Sequence, residues 1–454
     1  MKWNILLNKN LLCSENKTDQ SEDGRSQYQR DFDRIVFSSA FRRLQDKTQV
    51  FPLPESDFVH TRLTHSLEVS CVGRSLGTKA GKFIIDRHKE LKGGYENFHF
   101  GEIVAAACLA HDIGNPPFGH SGEDAISEYF RSGNGRQYQK KINDEKKWAD
   151  FTKFEGNAQG FRIITRLQNP NITGGLRLTH ATLASFTKYP KESFTAGVKN
   201  MKVKESKLYK KFGFFQSEKQ LFEETAAACG LIRDDNSFSW RRHPLAFLVE
   251  AADDTCYRIM DLEDGFRLGL LPFETTEQLL KPLTGSKPLQ GYNGRDENDK
   301  IGYLRAKAIN NVIEEITETF LDCETEILNG KFDDSLLSII KSGEPLKVIK
   351  DVSVEKIYSY KSVVEREAAG YEVLAGLLDT FITAVNDSAE NVNLSWKNKT
   401  ILKLLPKQFL CSSGKPDDDI YLRLLKITDF VSGMTDSYAV SLFRKIKGIS
   451  LPGR

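Results

Sequence analysis

Apolar side chains in this chain recur every three to four residues over eight long stretches, near residues 61–87, 101–112, 121–131, 155–168, 244–264, 301–329, 353–382 and 420–446. That spacing is the period of an α-helix with one buried face. Alternating Val- and Ile-rich runs, the mark of a half-buried strand, are scarce, and two-residue hairpin turns are few. The pattern predicts an all-α fold with at most one small hairpin. Its helices would pack through an abundance of aromatic rings, 29 of them Phe. At 454 residues the chain is roughly two to three times a typical domain and can bury a large core.

Three stretches interrupt the helical pattern. Residues 10–30 are polar and are expected to be mobile. Residues 132–150 hold Gly133-Asn134-Gly135 and then many charges, and residues 284–300 are rich in turn formers and read as a linker. These breaks suggest an N-terminal arm over 1–30, a helical domain over 31–283 and a further helical region over 301–454. The seven cysteines (Cys13, Cys71, Cys108, Cys229, Cys256, Cys323, Cys411) form no CxxC pair. They argue against a disulfide framework or a cysteine zinc site, and for a reducing compartment. A formal net charge of +2 excludes a chain that coats nucleic acid indiscriminately, although lysines at 188, 191, 199, 202, 204, 207, 210 and 211 make one local basic segment. The apolar run after Met1 is too short for a signal-peptide core, and no stretch approaches the roughly 20 apolar residues of a membrane helix. The expectation is a soluble, cytoplasmic protein without membrane partners.

The chemistry concentrates in residues 102–120. A small-residue helix runs into adjacent His111 and Asp112, and Gly114 with Pro116-Pro117 stops it. Neighbouring helix residues point about 100° apart, yet two can converge on one ion where the helix is ending and the second side chain is short. Imidazole with carboxylate suits Mn²⁺, Fe²⁺, Co²⁺ or Ni²⁺, and Mg²⁺ less well. Two more ligands are needed. His65 lies inside an amphipathic helix, and Asp253 and Asp254 lie where an apolar helix turns to small residues. A carboxylate near the core needs compensation, and a metal ion is one. A lone His or a lone His-Asp pair carries little information. The run HDIGNPPFGH, with Glu123 three residues beyond His120, carries much more.

At these residues the chain resembles the HD-domain phosphohydrolases, and within them the deoxyguanosine triphosphate triphosphohydrolases (dGTPases). The resemblance is carried by SSAFRRLQDKTQVFPL (38–53), TRLTHS (61–66), HDIGNPPFGHSGE (111–123), FEGNAQG (154–160), EAADD (250–254), DLED (261–264) and VSGMTD (431–436). It spans about residues 31–270 and touches the C-terminus, while 270–350 match only in helical character. It implies an HD-domain helical fold with additional C-terminal helices that complete the substrate pocket and an oligomer interface. It also implies one divalent ion held by His65, His111, Asp112 and Asp253. Asp253 is taken over Asp254 because the family has Tyr four residues later and Asp eight later, as Tyr257 and Asp261 stand here.

The implied reaction is hydrolysis of dGTP, or another dNTP, at the α-phosphorus, releasing deoxynucleoside and intact triphosphate. The leaving 5′-oxygen departs poorly unless it is protonated. His120 is the natural acid, oriented by Glu123 on the same helix face, and a nucleophilic role for His120 stays open. By the same resemblance Arg62, Lys188, Lys211 and Tyr257 face the phosphates, Tyr189 adds a hydroxyl, and Asn157 and Gln159 face phosphate or metal-held water. Gln49 and Val50 meet the sugar, Asp261 partners Tyr257 or the sugar, and Glu367 accepts from guanine N1 and N2. Family members are commonly homo-oligomers, often hexamers, and some bind single-stranded DNA or are activated by nucleotides. Two other readings compete. One is an HD-type hydrolase acting on a nucleoside monophosphate, a cyclic or an alarmone nucleotide. The other is a nucleic-acid-binding or regulatory protein with a vestigial site.

Overall fold

A computed structural model describes residues 1–14, 24–50, 60–194, 211–234, 238–390 and 394–450. The described residues are helical and contain no strand. Where a small hairpin was allowed for, there are only isolated bridges, such as Lys191 with Ser239 and Arg233 with Trp240. The aromatic-rich sequence around them packs side chain on side chain, as where Phe214 stacks on Phe222 with centroids 4.6 Å apart.

The centre of the fold is the antiparallel pair Arg62–Arg87 and Asn97–Ala110. The first helix starts at Thr61, whose hydroxyl accepts from the Thr64 amide while Thr64 answers in a reciprocal capping box. Small residues set how close the two helices come. A Cβ at Gly73 would lie 2.5 Å from Cys108 Sγ, and one at Gly77 would lie 2.6 Å from the Phe100 carbonyl oxygen. Gly73, Gly77 and Gly81 are four residues apart and form one face, against which Phe100, Val104 and Cys108 are fully buried. This close approach carries the start of one helix and the end of the other to the same place.

The helix Pro244–Arg267, with proline in its first turn, crosses both, and Glu297–Asp322 packs outside it through Leu304, Ala308, Val312 and Ile316. One apolar core therefore runs from Trp3 to Val363 without a break at 284–300. A second core joins His120–Arg131 to Lys361–Ala389 and Ile420–Ser432. The two cores interleave the segments expected to be separate domains. Residues 1–14 are not a loose arm: Trp3, Leu6, Leu7 and Leu12 are buried, and the Trp3 indole donates to Glu324 at 2.8 Å. Contrary to the expectation that no stretch reaches membrane length, Lys361–Ala389 is long and apolar enough by composition to span one. Half of its most apolar window is buried inside the protein, where Leu374, Leu377, Phe381 and Ile382 pack.

A buried ion network ties the cores together. Arg162 gives Nε and Nη2 to Asp429 at 2.9 and 2.8 Å and Nη1 to Glu218 at 2.7 Å. Such a network specifies one arrangement more than it stabilises, but removing one partner strands a buried charge.

Trp3→Ala empties a fully enclosed site and removes one partner of Glu324, which keeps Arg87 and His88. It should lower unfolding stability by about 3–5 kcal/mol, read from urea melts. A loss under about 1 kcal/mol would show that the first turn does not belong to the core.

Candidate metal and nucleotide site

The close helix pair brings His65 and His111 together with ring centroids 5.3 Å apart. Pro244–Arg267 adds Asp253, whose Oδ1 lies 3.2 Å from His65 Nε2 and 3.4 Å from His111 Nε2. Asp112 follows His111 in the turn that ends its helix, with Oδ1 3.5 Å from His111 Nε2. Asp254 turns away to Arg258 at 3.2 Å. One donor atom each from His65, His111 and Asp112 falls within 4.8 Å of the others. His111 Nδ1 donates to the Cys108 carbonyl at 2.6 Å, which aims Nε2 at the cluster. That Nε2 is buried and has no hydrogen-bond partner. An orphaned imidazole nitrogen among carboxylates, two nitrogens and two carboxylate groups in all, fits a divalent ion of the Mn²⁺ to Ni²⁺ type.

The electrostatics agree. Burial works against a charged His111, but Asp112 and Asp253 outweigh it and raise its pKa to about 9. Burial also opposes ionisation of Asp112 and Asp253. His111 and Arg62 hold Asp112 below the usual carboxylate range, and His111 with His65 holds Asp253 well below it. The protonated imidazole occupies the charge balance that a cation would take over, so proton and metal compete here.

Next to this cluster stands the His120–Glu123 pair, Nδ1 to Oε2 at 2.8 Å. His120 opens the helix that follows Gly119, a residue at φ 62. Its side chain is 83% exposed. The hydrogen bond that His120 donates to Glu123, and then the Glu123 charge, raise the His120 pKa. Burial opposes the Glu123 charge, but the His120 bond and Lys211 outweigh it and pull its pKa down to about 2. The Gly156 amide donates to Glu123 Oε1 at 2.6 Å and Lys211 lies 3.4 Å from its other oxygen.

The remaining expected contacts divide into those the fold gathers and those it does not. Arg62 reaches Asp112 at 2.8 Å. Lys188 lies 3.2 Å from Glu250, with Tyr189 beside it. Burial works against the Lys188 charge, and Glu250 with nearby acids more than restores it. Lys211 also pairs with Glu155 at 2.8 Å, and the Asn157 amide donates to Glu155 at 2.6 Å. Gln49 is half-buried with its Oε1 unpartnered, and Val50 is buried. Glu367 is half-buried on Lys361–Ala389. Gln159 is different: it is fully buried, and its amide donates to Asp429 at 3.0 Å inside the Arg162 network. Its nitrogen is therefore committed to Asp429, while its Oε1 is buried without a partner. Of the basic segment, Lys199, Lys202, Lys204, Lys207 and Lys210 lie outside the described residues.

Three residues without a place in the sequence reading stand out. Tyr358 donates to Asp261 at 2.6 Å and stacks on Tyr257 with centroids 5.6 Å apart, so Asp261 meets Tyr257 through a residue almost a hundred positions away. Burial raises the Asp261 pKa to about 8 despite the Tyr358 bond. Arg366 has Nε and Nη1 buried without partners, close enough to Asp436 and Arg62 to feel their charges. Glu155 holds Lys211, and burial lifts its pKa to about 7. Glu155 lies inside a quoted block and was within reach of sequence reasoning. Nothing in the sequence singles out Tyr358 or Arg366.

Comparison with known proteins matches this arrangement. The HD domain model covers residues 62–172, and the phosphohydrolase-associated domain model covers 342–445. A deoxyguanosinetriphosphate triphosphohydrolase-like protein of Synechocystis is 47% identical over 99% of this chain and all of its own length. A protein of the same description from Pseudomonas aeruginosa is 41% identical over the full length of both. The deoxyguanosinetriphosphate triphosphohydrolase of Yersinia enterocolitica is 31% identical over 92% of this chain and 93% of its own. With its metal-ligand cluster, its helical frame and these full-length relatives, the chain belongs to the HD-domain deoxyguanosine triphosphate triphosphohydrolase family of hydrolases.

Proposed function

We propose that the chain is a metal-dependent dNTP triphosphohydrolase, preferring dGTP, that releases deoxynucleoside and inorganic triphosphate. The observation that carries this reading is the adjacency of two different sites: a His-His-Asp-Asp cluster suited to a divalent ion, and an exposed His120 hydrogen-bonded to Glu123. His65, His111, Asp112 and Asp253 would hold the ion, which when bound supplies Lewis-acid polarisation of a phosphoryl oxygen and a more acidic water.

The protein's own groups do the rest. A bound triphosphate carries roughly four negative charges, so cations must meet it. Arg62, Lys188, Lys211 and Arg366 are the candidates, with the Tyr257 and Tyr189 hydroxyls beside them. Three of them are ion-paired with carboxylates, which holds their side chains in place. Glu123 fixes Nδ1 of His120 and leaves Nε2 toward the cleft, where it would protonate the departing 5′-oxygen. This separates the proposal from a monophosphate or cyclic-nucleotide hydrolase, which has no need for so many cations. The Gln49 oxygen, buried without a donor, suits a sugar hydroxyl, and Glu367 suits the guanine edge. A homo-oligomer, a single-stranded DNA effector and a cytoplasmic setting remain part of the proposal by family likeness.

Product analysis by anion exchange with Mn²⁺ tests the reaction. Triphosphate as the sole inorganic product supports it, whereas monophosphate or pyrophosphate rejects it.

His65→Ala and Asp253→Ala should each abolish tight Mn²⁺ binding and turnover together. His120→Ala should keep Mn²⁺ and lose about 10²–10⁴-fold in kcat. Retained Mn²⁺ binding in Asp253→Ala would contradict the ligand set.

The pH profile has a definite sign. An acid works only while protonated, so activity falls as pH rises through the His120 pKa. Glu123 raises that pKa, so Glu123→Gln should move the alkaline limb of kcat/KM to lower pH. A limb that stays in place would remove His120 from the acid role.

A further inference from the structure

The block Val431–Asp436 has no part in the reaction as described, yet its last residue touches two walls of the site. We propose that Asp436 is a positioning residue that locks the backbone leading into His120 to the segment carrying Gln49 and Val50, and that this lock sets the discrimination between deoxyribose and ribose. The inference rests on the triphosphohydrolase reading above.

Asp436 is buried. Its Oδ1 accepts the Phe118 amide at 3.1 Å, and its Oδ2 accepts the Thr48 amide at 3.2 Å and the Thr48 hydroxyl at 2.8 Å. One carboxylate thus joins residues 318 and 388 positions distant in sequence. Phe118 stands at φ 65, a left-handed conformation that a bulky side chain adopts only when its surroundings impose it. Gly119 follows, also left-handed, and then His120. Two contacts hold Phe118 in place: the Asp436 bond to its amide, and its ring against Gly370, where a Cβ would come within 2.9 Å. The direction of the His120 side chain is therefore set from the C-terminal end of the chain.

The other arm of the lock ends at the sugar side. Thr48 precedes Gln49, the residue with the buried, unpartnered oxygen. A second tie runs parallel to the first. The Lys47 ammonium is buried, and it donates to the carbonyls of Asn115 and Ser432, the latter at 3.2 Å. Asn115 in turn donates to the metal-ligand candidate Asp112. Ser437 adds a bond to Asp46 at 2.8 Å. All of these contacts are within hydrogen-bonding reach and none involves a group that must react. Their common effect is to fix the spacing between segments 46–50 and 112–120. Excluding a 2′-hydroxyl depends on that spacing, because a floor that shifts by a fraction of an ångström admits one more oxygen.

Asp436→Asn keeps the shape but turns one acceptor into a donor. It should lower kcat for dGTP by about tenfold or more, and shrink the dGTP-over-GTP ratio of kcat/KM by about tenfold, as expected when reacting groups are misplaced by well under 1 Å. Binding of Mn²⁺ alone, followed by electron paramagnetic resonance, should stay within about twofold, since no candidate ligand is touched. Thr48→Val removes one bond of the lock and should lose discrimination, while Thr48→Ser keeps the hydroxyl and should recover it. If Asp436→Asn does not fold, the Thr48 pair decides. Equal losses on dGTP and GTP, or an unchanged ratio in Asp436→Asn and Thr48→Val, would overturn the lock. An unmodified chain inert toward every dNTP would remove the functional reading and this inference with it. A chain that hydrolyses dNTPs with an unmoved ratio would remove only the lock.

Discussion

A single carboxylate oxygen, Oδ1 of Asp253, sits between two imidazoles, 3.2 Å from His65 and 3.4 Å from His111. Everything chemical in the molecule is arranged around that convergence. It requires three helices to meet within side-chain reach, and the glycine face at 73, 77 and 81 is what lets two of them approach so closely. A methyl group at Gly77 would push on the Phe100 carbonyl, which cannot yield without breaking helix geometry. The His-His-Asp cluster is thus a consequence of packing: small residues set the interhelical distance, and the distance sets where those side chains meet.

The charges follow the same economy of placement. Arg62 leans on Asp112, Lys188 on Glu250, and Lys211 on Glu123 and Glu155. Each cation is held by an acid, so the cluster is ordered without carrying a large unbalanced positive field. Arg366 is the exception, half-buried with two unpartnered nitrogens, and an isolated guanidinium of that kind is tolerable chiefly where an anion comes to meet it. The second core, built from the C-terminal helices, supplies Arg366, Glu367 and Asp436 to a site whose metal-ligand candidates all come from the first.

Local rules made most of the helices legible. The stretch read near 61–87 is the helix Arg62–Arg87, that near 244–264 is Pro244–Arg267, and the helix before His111 and Asp112 ends at Ala110, just ahead of Gly114, which packs directly against Gly156 and Gly160. The resemblance likewise pointed to His65, His111 and Asp112, whose donor atoms the fold brings within 4.8 Å of one another. What stayed hidden depends on partners far away in the chain. Gln159 reads as an available amide, yet Asp429, 270 residues on, takes its nitrogen and leaves only its Oε1 unpartnered. Trp3 and Leu6 carry no sign in the sequence of belonging to the core, which shows only where the indole meets Glu324. Tyr358 and Arg366 come from segments whose sequence is ordinary amphipathic helix. Long-range pairing of this sort leaves no periodic trace.

The account turns on whether those four side chains hold one ion. Anomalous diffraction from crystals grown with Mn²⁺, recorded at the manganese edge, measures that directly. It should show one strong peak per chain, within bonding distance of His65, His111, Asp112 and Asp253. A peak bound elsewhere, or no peak at this cluster under saturating Mn²⁺, would contradict it.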